Sequence, residues 1–179
     1  KKNIQILSDA KNTSPNNLTA CVLERPRHEQ IVDILNSLGV KINFITDGDV
    51  SGVISVADPN MNIDIYLGTG GGPEGVLAAA ALSCLNCQME TRLVFQNEDE
   101  KERTKKAGIK DLNKIYSIED MVKGDVIFCA TGVTDGTIVK GIKKPDSGYR
   151  HDVKYKVIKD GKHPITDGIE DPSVLLYLS

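Results

Sequence analysis

The segment from residue 62 to 87 constrains the fold of this chain more than any other. It begins with an alternating and then apolar run, NIDIYLG, continues through the loop GTGGGPEG, and ends in VLAAAALSCLNC, which strongly favours a helix. A strand, a glycine-rich loop and a helix in direct succession form the repeating unit of α/β proteins. We therefore predict an α/β domain.

Other parts of the chain repeat this succession of strand and helix. Further strands are predicted at LTACVLE, KINFIT, TRLVFQ and DVIFCATG. Strands joined by helices form parallel sheets with right-handed crossovers. The tail from Tyr149 instead alternates polar and apolar residues in HDVKYKVI and ends in SVLLYLS, which is typical of antiparallel edge strands. The predicted fold class is α/β, with a mostly parallel sheet flanked by helices and antiparallel edge strands near the C-terminus.

Composition excludes several classes of partner. The 179 residues carry 22 Lys and Arg against 25 Asp and Glu, so a net charge of -3 gives no field that attracts nucleic acid or an anionic membrane. No apolar run approaches the roughly 18 residues of a spanning helix, and the first residues lack the apolar region of a secretion signal. We expect a soluble, cytoplasmic protein with reduced cysteines.

The glycine loop is suited to bind an anion. Glycines at 68, 70, 71 and 72 let backbone N–H groups approach a ligand, and the positive end of the following helix dipole adds to the attraction. A P-loop is excluded because no Lys-Ser/Thr pair follows, and the dinucleotide fingerprint fails because Pro73 stands in place of its third glycine. Glu74 is either a first-turn acid that interacts with the helix dipole or a metal ligand.

A basic motif follows the first predicted strand. Arg25 and Arg27 flank Pro26, which stiffens the backbone and presents two guanidiniums that can bind a phosphate bidentately. Taken alone, this motif is better explained as a solvated basic turn. His28, which follows it, is expected to cap a helix or to be partly buried rather than to bind a ligand.

An acidic motif follows the second predicted strand. Asp47 and Asp49 flank Gly48 and could bind sugar hydroxyls, share a metal or act as acid and base. Taken alone, it is better explained as an ordinary turn. However, the basic motif, the acidic motif, the glycine loop and ATGVTDG all follow predicted strands, and ligands of such sheets bind at the carboxyl ends of the strands. We therefore expect the motifs to converge on one rim. ATGVTDG is either a second phosphate-side loop of that rim or only a turn from a strand to a helix.

Cys84 and Cys87 form a CxxC pair inside the predicted helix after the glycine loop. A zinc site would need two further ligands, and a redox pair would stand at a helix start. We expect both thiols to pack in the interior.

In this order and spacing, RPRH, DGDV, GTGGGPEGVLAAAAL and FCATGVTDG resemble the later half of class II fructose-1,6-bisphosphatases, the bacterial sugar-bisphosphate phosphatases. The resemblance runs from about residue 18 to residue 141, and the tail from Pro145 departs from the family pattern. It implies metal-dependent hydrolysis of the 1-phosphate of fructose 1,6-bisphosphate to fructose 6-phosphate and phosphate, with Mn²⁺ or Mg²⁺ as the cofactor.

The resemblance also implies residue roles, position by position. The residues expected to bind substrate are Arg25, Pro26, Arg27, Asp47, Gly48, Asp49 and Gly71. Glu74 would be a metal ligand. The family's other metal carboxylates and its catalytic threonine belong to an earlier half that this sequence does not contain. We thus expect residues 1–17 to continue from an N-terminal half, residues 18–179 to form a substrate-binding domain, and the chain alone to have negligible phosphatase activity.

Alternatives stay open at this point. A noncatalytic sugar-phosphate or nucleotide-binding domain would use the same loops and would bind without metal. A nicotinamide dehydrogenase would need a ribose-binding acid where Gln96 and Asn97 stand. Family members also act on sedoheptulose bisphosphate, and no residue distinguishes the two sugars. The family further implies a homo-oligomer, for which the alternating tail offers an edge.

Overall fold

The structure, a computed structural model, describes residues 1–136, 138–139 and 141, together with the backbone of residues 154–159 and 166–169. The helices in these residues are α1 (Lys2–Ala10), α2 (Glu29–Ser37), α3 (Asp49–Ser55), α4 (Gly72–Cys84), α5 (Glu98–Lys106) and α6 (Ile118–Met121). The strands are β1 (Thr19–Leu23), β2 (Lys41–Ile45), β3 (Ile65–Tyr66), β4 (Thr91–Arg92), β5 (Ile115–Tyr116), β6 (Ile127–Thr131), β7 (Lys154–Lys159) and β8 (Thr166–Ile169). Single 3₁₀ turns at Pro15–Asn17 and Pro26–His28 precede β1 and α2.

β1 is the central strand of a parallel sheet. It pairs with β2 on one side and with β3 on the other, in the order β2-β1-β3. The register places Leu23 beside Ile45 and Cys21 beside Tyr66, so the three strands end at the same edge of the sheet. This edge is called the rim below. A parallel sheet flanked by helices confirms the predicted fold class.

The interior beneath this sheet is apolar. Its buried residues are Ile4, Leu18, Ala20, Val22, Leu35 and Val40. Ile4 comes from α1, so the first helix packs into the same core as the central strand. Lys11, just after α1, pairs with Asp64, whose other carboxylate oxygen accepts a hydrogen bond from the Thr19 N–H at 2.7 Å. α1 is thereby tied to the beginning of the sheet.

The second half of α4 contacts neighbours on several sides, and the buried residues of the helix lie between Ala78 and Cys84. Ala81 and Cys84 pack with Ile54 of α3 and Phe128 of β6, whereas Leu82 packs with Ile118 of α6. Val76 and Leu77, in the first half of the helix, are exposed. The helix that begins at the glycine loop is therefore packed through its second half, and its first turns are accessible.

Two later strands were predicted to join the parallel sheet, and this prediction is wrong. TRLVFQ forms only the short strand β4, which pairs antiparallel with β5, and DVIFCATG forms β6, which pairs antiparallel with β7. Neither belongs to the β2-β1-β3 sheet. An apolar run predicts a strand, but tertiary contacts determine which strand it pairs with. In β6, for example, Phe128 packs against α4, and this contact is not visible in the local sequence.

Antiparallel strands near the C-terminus were predicted correctly. β7 pairs with both β6 and β8, and both pairings are antiparallel. The final run SVLLYLS lies outside the described residues.

Candidate functional site

The basic motif, the acidic motif and the glycine loop meet at the rim. The Arg27 Nε–H donates a hydrogen bond to the Thr69 carbonyl oxygen at 2.7 Å, although 42 residues separate the two in sequence. The Asp49 carboxylate lies against Gly70, where a Cβ atom would be 3.0 Å from Asp49 Oδ2. Three of the four motifs that the sequence placed at strand ends are therefore in direct contact.

The glycine loop brings the Glu74 carboxylate close to its own backbone. Gly71 is the N-cap residue of α4, with φ -70° and ψ 150°. A Cβ atom at this position would be 2.1 Å from Glu74 Oε2, so the carboxylate occupies the space that a side chain at residue 71 would take. Gly71 and Glu74 are both exposed at the start of a helix of 13 residues. The loop thus joins a backbone suited to anions with one solvent-accessible carboxylate.

The two carboxylates of the acidic motif have different environments. Asp47 is exposed, and its Oδ1 accepts a hydrogen bond from the Gly48 N–H at 2.8 Å. Gly48 has φ +83°, a left-handed conformation that favours glycine. Asp49 is half-buried and begins α3. The turn therefore directs Asp49 to the glycine loop and leaves Asp47 at the surface.

Arg25 takes a different position from Arg27. Its Nη1–H donates to the Glu24 carbonyl oxygen at 2.7 Å. Together with Pro26 and Phe44 it lines a groove of about 360 Å³, which contains no residue of the acidic motif or the glycine loop. The structure thus brings Arg27 to the loop and places Arg25 and Pro26 on an adjoining surface.

Tyr66 lies at the site and was missed in the sequence analysis. It is the last residue of β3 and is half-buried. Burial raises the pKa of its hydroxyl to about 12, and the nearby negative charge of Asp49 adds to the rise, while the Arg27 guanidinium opposes it. The phenol is therefore neutral at physiological pH and can both donate and accept hydrogen bonds.

Two glycines make room for the Tyr66 side chain. A Cβ atom at Gly52, which is buried in α3, would be 2.9 Å from Tyr66 Cε2 and 2.5 Å from Ile45 Cδ1. A Cβ atom at Gly68 would be 3.1 Å from the Tyr66 hydroxyl oxygen. A signal for this residue was present in the sequence, since Tyr66 is the last aromatic residue before the loop, but the effect of the Asp49 charge on it depends on how the strands pair.

His28 was also left outside the site, and the structure places it in contact with the loop. Its side chain is 1% exposed. Nδ1 lies 2.7 Å from the Leu23 carbonyl oxygen, and Nε2 lies 2.8 Å from the Thr69 nitrogen. His28 therefore connects the end of β1 to the loop that follows β3.

Comparison with known proteins gives the family. A model of the family described as bacterial fructose-1,6-bisphosphatase, glpX-encoded, matches residues 1–157. The chain belongs to this family. The match begins earlier and ends later than the resemblance seen between residues 18 and 141, and it confirms that resemblance.

Curated relatives of the chain carry the name D-fructose 1,6-bisphosphatase class 2/sedoheptulose 1,7-bisphosphatase. The Synechocystis sp. protein is 35% identical over 162 residues, which cover 83% of this chain and 47% of that protein. The Trichodesmium erythraeum protein is 33% identical over 162 residues, with the same two coverages. The Synechococcus sp. protein is 32% identical over 163 residues, which cover 84% of this chain and 47% of that protein. The chain spans about half the length of these relatives.

A complete metal site is not formed by the residues described for this member of the fructose-1,6-bisphosphatase family. Within residues 1–136, 138–139 and 141, no three His, Cys, Asp or Glu side chains are grouped so that they could hold a metal ion. Glu74 is thus one carboxylate beside an anion-binding loop, and it does not by itself fit a metal. Its predicted role as a ligand depends on groups from outside these residues.

The fourth motif, ATGVTDG, forms a turn of its own in this family member. The Asp135 carboxylate accepts a hydrogen bond from the Gly141 N–H at 2.9 Å, and the Gly136 N–H donates to the Val139 carbonyl at 2.9 Å. The turn follows β6, which lies outside the parallel sheet. The expectation that all four motifs follow strands of one sheet is therefore wrong for this motif.

Both CxxC thiols pack against apolar neighbours, although only Cys84 is fully buried. Cys84 is buried in the cluster with Ile54 and Phe128, and half-buried Cys87 packs against the cluster that contains Leu82. Burial raises the pKa of the Cys87 thiol, which disfavours the reactive thiolate.

None of the helices in the described part of the chain is both long and apolar enough to cross a membrane.

Proposed function

We propose that this chain forms the sugar-bisphosphate-binding part of a fructose-1,6-bisphosphatase. The observation that carries the proposal is the contact of Arg27 and Asp49 with the glycine loop in a chain of this family. An arginine, a carboxylate and a backbone anion site together provide what a phosphorylated sugar needs, namely donors for phosphate and acceptors for hydroxyl groups.

Arg27 and the glycine loop would bind phosphate. The Nε–H of Arg27 is already used by Thr69, so the remaining guanidinium N–H groups are available for the fork-shaped contact that guanidinium makes with phosphate. The N-terminus of α4 adds backbone N–H groups and the positive end of its dipole. Local positive groups are required because the chain has a net charge of -3. Arg25, Pro26 and Gly71 are proposed to take part in the same recognition.

The sugar hydroxyls would be bound by the acidic motif. Asp47, Gly48 and Asp49 follow β2, which pairs with the strand that precedes the basic motif, and a carboxylate accepts two or more hydroxyl hydrogen bonds. Asp49 is the better placed of the two because it also lies against the glycine loop. The neutral hydroxyl of Tyr66 provides a further donor at this point.

The proposed reaction is hydrolysis of the 1-phosphate ester of fructose 1,6-bisphosphate. A water oxygen becomes bonded to phosphorus, the ester P–O bond breaks, and the products are fructose 6-phosphate and phosphate. Glu74 is proposed to contribute one ligand to a Mn²⁺ or Mg²⁺ ion that neutralises phosphoryl charge, with the other ligands supplied from outside the described residues. We expect negligible phosphatase activity from the chain alone. The cytoplasmic location, the homo-oligomer and the preference for fructose over sedoheptulose bisphosphate stay predictions.

Isothermal titration of the 179-residue chain with fructose 1,6-bisphosphate, with and without Mn²⁺, tests this proposal. Binding that Mn²⁺ strengthens is the expected result. Binding of equal strength without metal would favour the noncatalytic sugar-phosphate domain. No binding under either condition would contradict the proposal that this chain alone provides the substrate site.

Two variants distinguish the contribution of the metal to binding from that of the sugar contacts. In Glu74→Ala, we expect the Mn²⁺-dependent gain in affinity to disappear, while metal-free binding is retained. In Asp49→Ala, we expect weaker binding under both conditions, because a hydrogen-bonding carboxylate is lost. The same titration measures both effects, and small, equal effects in the two variants would mean that these loops are structural turns.

A further inference from the structure

The His28 ring lies between two backbone segments of the rim. The ring is 1% exposed, and each of its nitrogens lies within hydrogen-bond distance of one of the two segments. Nδ1 is 2.7 Å from the carbonyl oxygen of Leu23, the last residue of β1, and Nε2 is 2.8 Å from the nitrogen of Thr69 in the glycine loop. A buried side chain with both polar atoms paired in this way fixes two segments relative to each other.

These contacts determine the tautomer of the ring. The Leu23 carbonyl can only accept a hydrogen bond, so Nδ1 must carry a proton. Nε2 lies 2.8 Å from the Thr69 N–H, which can only donate, and 3.2 Å from the Thr69 carbonyl oxygen, which can only accept. The shorter contact assigns a bare Nε2 and hence the Nδ1–H tautomer, since a proton on Nε2 would face the Thr69 N–H.

Thr69 is held on both sides of its backbone. Its N–H donates to His28 Nε2, and its carbonyl oxygen accepts from Arg27 Nε at 2.7 Å. The same carbonyl oxygen lies 3.2 Å from His28 Nε2. The preceding residue also packs on the ring, because a Cβ atom at Gly68 would be 3.4 Å from His28 Cε1. Two adjacent side chains, Arg27 and His28, thus fix the backbone of the loop at its start.

We propose that His28 is a positioning residue for the glycine loop. The neutral ring sets the orientation of Thr69, so that the glycines after it present their N–H groups to a phosphate in one arrangement. Glycines lose more backbone freedom on ordering than other residues, so a loop fixed before binding binds more tightly than one ordered by the ligand. His28 acts through Thr69 and is too deeply buried to contact substrate itself. The functional part of this inference rests on the proposed phosphate-binding role of the loop.

Two substitutions of His28 each keep a different one of the two contacts of the ring. In His28→Gln, the amide oxygen reaches the position of Nε2 and can accept from the Thr69 N–H. In His28→Asn, the shorter amide reaches the position of Nδ1 and can donate to the Leu23 carbonyl, but it leaves Thr69 without its acceptor. Both variants are neutral and both lose the ring, so a purely structural role predicts similar losses in the two.

The test is titration of fructose 1,6-bisphosphate into the full chain and the two variants. We expect His28→Asn to weaken binding by about tenfold, the effect of one lost hydrogen bond, and His28→Gln to restore most of the affinity. Equal losses in the two folded variants would overturn the inference. Thermal unfolding followed by circular dichroism identifies a variant that does not fold.

A measurement on the unsubstituted chain does not depend on ligand or variants. Nitrogen-15 NMR distinguishes protonated from bare ring nitrogens, and the His28 signals are those that disappear in His28→Gln. We expect a protonated Nδ1 and a bare Nε2. The opposite tautomer, or a doubly protonated ring at neutral pH, would overturn the inference even if the chain binds sugar bisphosphate. The expected tautomer in a chain that binds no sugar bisphosphate would instead count against the proposed function alone.

Discussion

The interior of the parallel sheet and its rim are stabilised in different ways. In the interior, Val22 and Leu35 are buried among apolar neighbours and depend on packing. At the rim, Arg27, Asp49 and Glu74 are exposed or half-buried, and their positions follow from contacts with the glycine loop. Stability and binding should therefore respond to different substitutions, although the residues belong to neighbouring segments of one sheet. Three predictions test this separation.

The largest effect is expected in the interior. Leu35 is 1% exposed in the core beneath β1, and Leu35→Ala should lower the free energy of unfolding by about 2–5 kcal/mol because it leaves a cavity. Urea denaturation measures this loss. The control is Ile34→Ala, one residue earlier, where the side chain is 38% exposed and a smaller loss is expected. Equal losses would show that α2 is not packed as described.

A smaller effect, on binding alone, is expected at Arg27. Arg27→Ala should weaken the binding of fructose 1,6-bisphosphate by about 1.5–3 kcal/mol, because a charge-assisted contact with phosphate is lost. Titration calorimetry measures it. Arg103→Ala, on the exposed face of α5, makes the same change in net charge away from the rim and should leave binding unchanged. If both variants lose affinity equally, the net charge of the chain, and not a specific contact at the rim, attracts the ligand.

The smallest effect on stability is expected in the glycine loop. The Gly71 backbone, with φ -70°, accepts alanine, so Gly71→Ala should change the free energy of unfolding by less than about 1 kcal/mol. Its Cβ atom must displace the Glu74 carboxylate, so the Mn²⁺-dependent part of binding should be lost. Gly75→Ala is the control, because a Cβ atom there has no neighbour within 4 Å. If Gly71→Ala retains the Mn²⁺-dependent gain in affinity, Glu74 is not a ligand of the metal.

The local pattern of the sequence was sufficient to predict β1, β2 and their connecting helix. Apolar strands, helical spacing and Gly39 after α2, which has φ +71°, are signals carried by neighbouring residues. TRLVFQ carries a similar signal, yet it pairs with β5, since the choice of partner depends on contacts distant in sequence. Element type was therefore predictable where strand pairing was not.

The candidate site shows the same limit. The basic motif, the acidic motif and the glycine loop were found because each has an unusual composition. His28 and Tyr66 were missed because their roles depend on how the strands pair. His28 accepts a hydrogen bond from the backbone of a residue 41 positions away, and the negative charge of Asp49 contributes to the raised pKa of Tyr66. Residues that hold a loop through its backbone leave little trace in composition.

The tight space around Gly52 has an evolutionary consequence. Any larger residue at this position would press on Ile45 of β2 and on Tyr66 of β3 at once. Positions 45, 52 and 66 are therefore expected to change together during divergence, with a larger residue at 52 accompanied by a smaller one at 45 or 66. A larger residue at 52 with a smaller one at 45 would alter the setting of Tyr66 and keep its hydroxyl, whereas a smaller residue at 66 would remove the hydroxyl itself.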